Sequence, residues 1–439
     1  MHSDLVLAFL LCVFSISFCK AQCSNDDEFS CFIPKVNISA GGLVKLQAEM
    51  LSAPFRSYYI EKLIVVNPPS GAFLQRVALM VNQISFDVYH EPVMQLLSDN
   101  TLQSITLNRA QNLHGFVVDG TNDHMKELVI DHSLLDRVPS TLGKLRQLRL
   151  IQIRYSHIEM LSLEVLASNA ELMYATFTNS RIARVLPLKN ANTELKLREI
   201  DLSENLIEHL DMSSWAPFKA LIRINLSHNR LLVLDTQHSF TLDNLTTLYL
   251  DSNHLKTIDM RHLTLPQLQT ISLNDNNFTE VPSSWGKKEA LSYISINNNY
   301  ITSFDFGSLR SLTSLGTILL ESNHIHSVTV SNPVVHLPQL KWIYLANNTL
   351  NRIDLNGTDF PQLSYLTLAH NQFTSVPTVF RKYPNLRLSV EVNPIKCDNF
   401  KAHHLHLESF QIISVYAWED DRCPDLFITY GGYNYCCVG

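Results

Sequence analysis

The stretch LREIDLSENLI (residues 197–207) is followed by LIRINLSHNRL (221–231) and LTTLYLDSNHL (245–255). Each sets three apolar side chains and then an asparagine at fixed offsets; in the first these are Leu197, Ile200, Leu202 and Asn205. The pattern returns every 22 to 25 residues, with further clear copies beginning at Leu268, Leu291, Leu315, Leu340 and Leu363. Weaker copies start at Leu74, Leu102, Met125, Leu148 and Leu172, and a compressed last one runs through Leu388, Val390, Asn393 and Ile395, which makes fourteen. A period of this length decides the fold before any single residue is read.

The alternating apolar positions, Ile200 with Leu202 and Ile224 with Leu226, have the period of a short strand buried on one face. One such strand cannot bury itself. Successive copies stacked in parallel share one continuous core and one long sheet, and a narrow strand opposite a bulkier return segment curves the stack. The expectation is an α/β solenoid, a horseshoe with a parallel concave sheet. Asn82, Asn205, Asn229, Asn253, Asn276, Asn299, Asn323, Asn348, Asn371 and Asn393 fall in the turn after the strand. There an inward amide can satisfy backbone groups that would each cost on the order of 1–3 kcal/mol if left unpaired. Ser133, Ser156 and Ser180 take this place in three N-terminal copies and Ala110 in the one before them. A hydroxyl satisfies fewer partners than an amide, so the N-terminal third is expected to be less regular and less stable.

A chain of 439 residues would ordinarily suggest several domains, but a solenoid core grows linearly with repeat number, so one elongated domain is expected. Apolar residues at 46% and charged residues at 17% fit an ordered protein, and 13 glycines without low-complexity sequence argue against a flexible linker. Residues Asp4 to Phe18 form an apolar run ending in the small-residue site Cys19-Lys20-Ala21, which reads as a secretory signal cleaved before Gln22. The run is shorter than the roughly 20 apolar residues of a membrane span, and no hydrophobic tail of the lipid-anchor type closes the sequence. The expected organisation is a signal peptide at 1–21, an N-terminal cap at 22–73, the solenoid at 74–396 and a cysteine-bearing C-terminal cap at 397–439, the mature protein being secreted and extracellular.

Cleavage leaves six cysteines, all at the two ends: Cys23 and Cys31, then Cys397, Cys423, Cys436 and Cys437. Terminal coils expose an apolar face, and disulfide-tied caps cover it stably in an oxidising compartment. Cys23 and Cys31 are expected to pair. A bond between the adjacent Cys436 and Cys437 would be strained, so Cys397 and Cys423 each take one of them, leaving two connectivities open; an intermolecular bond from Cys436 or Cys437 is the alternative. Glycosylation sequons stand at Asn37, Asn225, Asn244, Asn277, Asn347 and Asn356. Asn225, between Ile224 and Leu226, points out of the concave strand surface, so a glycan there would obstruct its middle.

After the last repeat come Asn393-Pro394-Ile395-Lys396-Cys397, a partly helical stretch, Cys423-Pro424 and Tyr430-Gly431-Gly432-Tyr433-Asn434-Tyr435-Cys436-Cys437. This tail resembles the C-terminal cap of the mosquito leucine-rich repeat immune proteins, in which a lone cysteine after the final repeat precedes a second cysteine and a Tyr/Gly-rich segment ending in Tyr-Cys-Cys. The repeats and the leader are similar as well. The resemblance implies a secreted haemolymph protein of innate immunity, with complement-like thioester proteins or other leucine-rich repeat immune proteins as partners. Family members continue past the double cysteine into a long coiled coil that joins two chains; this sequence reads as a coil-less type.

The concave strand offsets give the candidate binding surface. Arg76, Arg109 and Arg154 place positive charge at its N-terminal end, and Glu199, Asp201, Glu204 and Asp251 make its middle acidic. Tyr249, Tyr293, Trp342, Tyr344 and Tyr365 add aromatic area, the side-chain type that dominates protein interfaces. Aromatic residues are also favoured on strands for packing alone. His403, His404 and His406 lack the further ligands of a metal site and read as a solvated cap loop. Asp305-Phe306-Gly307 matches a kinase magnesium motif by letters only, and no phosphate loop, nucleophile elbow or zinc-protease helix is present. No cofactor is expected, catalysis is not expected, and a net charge of -7 argues against general nucleic-acid binding. The reading is a secreted, non-catalytic recognition protein whose ligand is either another extracellular protein or a microbial surface. The rival reading is an adhesive or matrix-organising protein.

Overall fold

The computed structural model describes residues 30–33, 36–37, 57–60, 63–64, 71–79, 81–188, 195–236, 238–331, 334–414 and 426–439. The leader, Cys23 and Cys423 lie outside the described residues. The chain forms two compact units divided between Leu197 and Arg198.

In the first unit, Gln83–Phe86, Ser104–Leu107, Glu127–Asp131, Leu150–Arg154 and Tyr174–Thr178 lie side by side as a parallel sheet in sequence order. Nearer the N-terminus, Ser30–Ile33 pairs in parallel with Ser57–Ile60, and Val36–Asn37 with Leu63–Ile64. Residues Gly71–Ala78 form an α-helix, so the copy read from Leu74 to Asn82 is not a strand coil. Leu74, Val77 and Ala78 are buried on one side of this helix, whose period satisfies the same spacing rule. The first coil instead runs Val81, Ile84, Phe86 and Tyr89, and Arg76 is on the helix rather than on the sheet. Buried Tyr89 stands where later coils have asparagine, its hydroxyl donating to the Val93 carbonyl at 3.1 Å.

In the second unit, ten parallel strands again follow sequence order, from Glu199–Asp201 and Arg223–Asn225 through Trp342–Tyr344 and Tyr365–Thr367 to Arg387–Ser389 and Ile412–Ile413. The register is exact in sequence terms: Ile200, Ile224, Leu248, Ile271 and Ile294 are direct neighbours, and each is at most 1% exposed. Burying each such side chain contributes roughly 1.5–3 kcal/mol. The return segments carry short parallel pairs and single turns of 3₁₀ helix, as at Met212–Trp215 and Phe306–Leu309. Each of these turns is capped by the aspartate before it, Asp211 accepting from the Ser213 N–H at 2.9 Å and Asp305 from the Gly307 N–H at 3.0 Å. Asp305 of the Asp-Phe-Gly triplet is thus a capping residue.

The asparagine ladder is realised as the spacing predicts. Asn253 donates from Nδ2 to the Leu250 and Asp251 carbonyls of its own turn and to the Leu226 carbonyl of the preceding coil, all within 3.1 Å. Its Oδ1 accepts the Leu231 N–H at 3.0 Å. The same set recurs at Asn229, Asn276, Asn299, Asn323, Asn348, Asn371 and Asn393. In the first unit the substitutes do less. Ser156 and Ser180 bond to each other at 2.8 Å, and the buried Ser133 hydroxyl finds no partner among the described residues. The residue before each ladder position, from Arg109 through Glu204 to Val392, has φ between 45° and 56° in thirteen coils, and none of them is glycine.

The C-terminal cap consists of helices Cys397–Ala402 and His404–Glu408 and an antiparallel hairpin, Leu426–Tyr430 with Tyr433–Cys437. Cys397 is bonded to Cys437, with an S–S distance of 2.07 Å, which selects one of the two open connectivities. Cys436 is also disulfide-bonded. His403 and His406 turn Nδ1 to the Asn399 carbonyl and the Gln411 amide oxygen, and His406 stacks on Phe380 with ring centroids 4.1 Å apart. Among the described residues no group of three or more His, Cys, Asp or Glu is gathered as a metal site.

Candidate functional site

Strand alternation turns Ile200, Ile224 and their equivalents into the core and sends the residues on either side of them to the open face of the sheet. In the second unit this builds two rows. One runs Glu199, Arg223, Thr247, Thr270, Tyr293, Thr317, Trp342, Tyr365 and Arg387. The other runs Asp201, Asn225, Tyr249, Ser272, Ser295, Leu319, Tyr344, Thr367 and Ser389 across the same pairs. A third polar row follows one position beyond the inward apolar residue, where Asp251, Asn274, Asn297 and Glu321 stand.

The candidate residues of this unit fall into two groups. Glu199, Asp201 and Tyr249 share three adjacent strands with Arg223, Asn225 and Asp251, and here the charges are answered internally. Arg223 pairs with Glu199 at 3.3 Å, Asp201 accepts from the Asn225 amide at 3.1 Å and from the Ser203 N–H at 2.9 Å, and Asp251 accepts from the Ser272 hydroxyl at 2.5 Å and the Asn274 N–H at 2.9 Å. The Asn274 Oδ1 continues this outer ladder by accepting from Ser295 and from the Asn297 N–H. Glu204 belongs instead to the turn after its strand, at a φ of 56°.

Tyr293, Trp342, Tyr344 and Tyr365 form the second group. Trp342 and Tyr365 are direct cross-strand partners, and the Tyr344 and Tyr365 ring centroids are 5.6 Å apart. Trp342 is 44% exposed, whereas the buried Trp215 and Trp285 belong to the core. Burial pushes the Tyr293 and Tyr365 hydroxyls up from the usual phenol range, while hydrogen bonds to Ser295 and Ser389 pull the other way. Two carboxylates that the sequence reading did not single out lie at the ends of this group. Glu321 acts electrostatically on Tyr293, and Glu391 on Tyr365. Burial raises the carboxyl pKa of both, at Glu391 against an opposing hydrogen bond donated by the Ser389 hydroxyl. Both occupy the offset already used to find Asp251, so a uniform application of that offset identifies them.

Arg154 lies on the last but one strand of the first unit, with Nε 3.5 Å from Asp131 Oδ1. Asp131 also faces His132 Nδ1 at 2.9 Å, and the His132 ring stacks on Tyr155 with centroids 4.4 Å apart. Arg109 sits in a turn and pairs with Asp87. Among the sequons, Asn244, Asn347 and Asn356 are exposed and Asn277 is half-buried in a turn. Asn225 is on the open face as expected, its amide held by Asp201.

The "Leucine rich repeat" family matches residues 195–255 and 266–325. The fold is a leucine-rich repeat solenoid. In overall likeness, the leucine-rich repeat domain of APL1 superposes with a TM-score of 0.58 at 14% identity, covering 93% of this chain and 98% of that one. The LRIM1/APL1C complex gives 0.56 at 14% identity, covering 95% of this chain and 71% of that one. At such identities the likeness is one of fold. In sequence, mouse podocan is 27% identical over 205 residues, which is 45% of this chain and 32% of podocan, and human leucine-rich repeats and immunoglobulin-like domains protein 3 is 27% identical over 168 residues, 38% of this chain and 15% of that protein. The chain thus spans less than a third of the length of these two relatives. No helix among the described residues is long and apolar enough to cross a membrane.

Proposed function

We propose that this chain is a secreted, non-catalytic recognition protein of insect innate immunity that binds another extracellular protein through the open face of its sheet. The observation that carries the reading is the aromatic group Tyr293, Trp342, Tyr344 and Tyr365, displayed on adjacent, fully registered strands. Large exposed aromatic side chains on a soluble protein mark contacts, and a surface locked by two hydrogen-bond ladders loses little entropy on binding. The immune setting is supported by the Tyr-Cys-Cys cap, closed by the Cys397–Cys437 bond, and by the fold likeness to APL1 and to LRIM1/APL1C, two leucine-rich repeat proteins solved as a complex. Complement-like thioester proteins and other repeat proteins of the same kind are the partners proposed.

A second reading, an adhesive or matrix-organising protein, has the sequence likeness to podocan behind it. A pull-down of the tagged, secreted chain from insect haemolymph, run with and without reductant and resolved by mass spectrometry, separates the two. Recovery of thioester or repeat proteins supports the immune reading; recovery of structural matrix components alone replaces it with the second.

A further inference from the structure

Charge on the open face of the second unit is unevenly answered. The ten strands place no lysine there, and only two arginines, Arg223 and Arg387. Arg223 is engaged with Glu199. The carboxylates of the first group are each held by a cation, an amide or a hydroxyl, whereas burial alone acts on Glu321, and Glu391 is taken from water with one hydroxyl as its donor. Arg387 and His370 lie near Glu391 and Tyr365 and offset the negative charge only in part.

From this arrangement we infer that the aromatic group docks a basic segment of the protein partner, with one Lys or Arg at Glu321, a second at Glu391, and the faces of Tyr293, Tyr344, Tyr365 and Trp342 beneath the chain between them. A cation over an aromatic face is attracted by the ring quadrupole, and more strongly where water is excluded. Glu321 and Glu391 belong to strands three steps apart, about 14 Å at the ordinary strand spacing. An extended peptide covers that span in about four residues, so two cations four positions apart fit. A desolvated carboxylate is the group that gains most from such a partner, because its burial has already been met in the free protein.

The inference rests on the open-face reading above, and its test is separable from it. Three fluorescein-labelled peptides in a Gly/Ser background carry, four positions apart, two arginines, two citrullines or two glutamates. Each is titrated against the full chain and followed by anisotropy. The arginine peptide is expected to bind at least about tenfold more tightly than the citrulline peptide, less tightly as salt rises, and the glutamate peptide not to bind. Glu321→Gln with Glu391→Gln should abolish the preference, while Asp398→Asn with Glu408→Gln, which removes two carboxylates from the cap, should leave it intact. Equal binding of the arginine and citrulline peptides, no binding of the arginine peptide, or an unchanged preference in the glutamine variant overturns the inference. If a haemolymph partner is lost on removing Trp342 and Tyr365 but kept by the glutamine variant, the open-face reading stands without the basic segment. If both variants keep it, the open-face reading itself falls.

Discussion

Asn276 ties its own turn to the preceding coil, its Nδ2 donating to the Leu250 carbonyl at 2.9 Å. The same amide reaches the Leu273 and Asn274 carbonyls at 3.2 and 3.0 Å, and its Oδ1 accepts the Leu255 N–H at 3.0 Å. Asn276→Ala leaves these buried backbone groups without their partner, a loss of about 3 kcal/mol or more. The melting temperature should fall by several degrees, and an unchanged value would remove the ladder from the account of stability. The equivalent change at Ser133, whose hydroxyl has no partner to lose, should cost far less.

Val392 precedes the ladder residue Asn393 with a φ of 55°. For a β-branched side chain this left-handed conformation is unfavourable, whereas asparagine tolerates it. Val392→Asn should therefore stabilise the last coil by about 1 kcal/mol, since the side chain is largely exposed and little packing is lost. Chemical denaturation would show a higher midpoint at an unchanged slope. A lower midpoint would mean that Val392 packs more than its exposure indicates.

Much of this was legible in the sequence because leucine and asparagine at fixed offsets satisfy two separate demands, a buried stripe and a set of orphan backbone groups. The first coil was not, because Leu74 and Val77 serve an amphipathic helix at a spacing that mimics the repeat, and because Tyr89 replaces asparagine. Nor does any composition mark the left-handed position, filled by Arg109, His132, Tyr155, Glu204 and Val392 alike. At the candidate site, strand alternation placed the aromatic residues correctly. The carboxylates at their ends were missed because a glutamate on a repeat surface reads as solvated until its burial is seen.

Lys288 was hidden for the same reason. It is 0% exposed, and its Nζ donates to the Met260, Leu263 and Trp285 carbonyls at 3.1, 2.6 and 2.9 Å. Burial lowers its pKa to about 8, below the usual lysine value of 10.5. Between these two values the unfolded chain holds a proton that the folded chain has released, so this group's contribution to stability rises with pH through that window and is least below pH 8. Lys288→Met removes the effect. The difference in melting temperature between wild type and variant should thus shift in favour of wild type from pH 8 to pH 10, and parallel curves across that range would contradict the buried ammonium.

The Cys397–Cys437 bond spans a sequence separation of 40 residues and joins the first cap helix to the last strand of the hairpin. Closing a loop of that length constrains the unfolded chain by about 4 kcal/mol in the chain-entropy picture. Cys397→Ser with Cys437→Ser should make the hairpin the first segment cut in limited proteolysis, ahead of any global unfolding. Cleavage beginning within the coils instead would show that the bond does not hold the cap.

Trp342 and Tyr365 face each other across adjacent strands with their backbones fixed by the parallel register, so removing both rings deletes contact area without touching the core residues Ile343 and Leu366. A pair of interface aromatics at the centre of a contact contributes on the order of 2 kcal/mol or more, roughly a thirtyfold change in Kd. Trp342→Ala with Tyr365→Ala should weaken capture of the haemolymph partner by that factor, chiefly through a faster dissociation rate, at an unchanged melting temperature. Because Trp215 and Trp285 are buried, the loss of Trp342 should also remove the component of tryptophan fluorescence most accessible to a soluble quencher among these three residues. Full affinity in the variant would move the binding surface away from these strands, and the first group, Glu199 to Asp251, would then be the part of the open face to test.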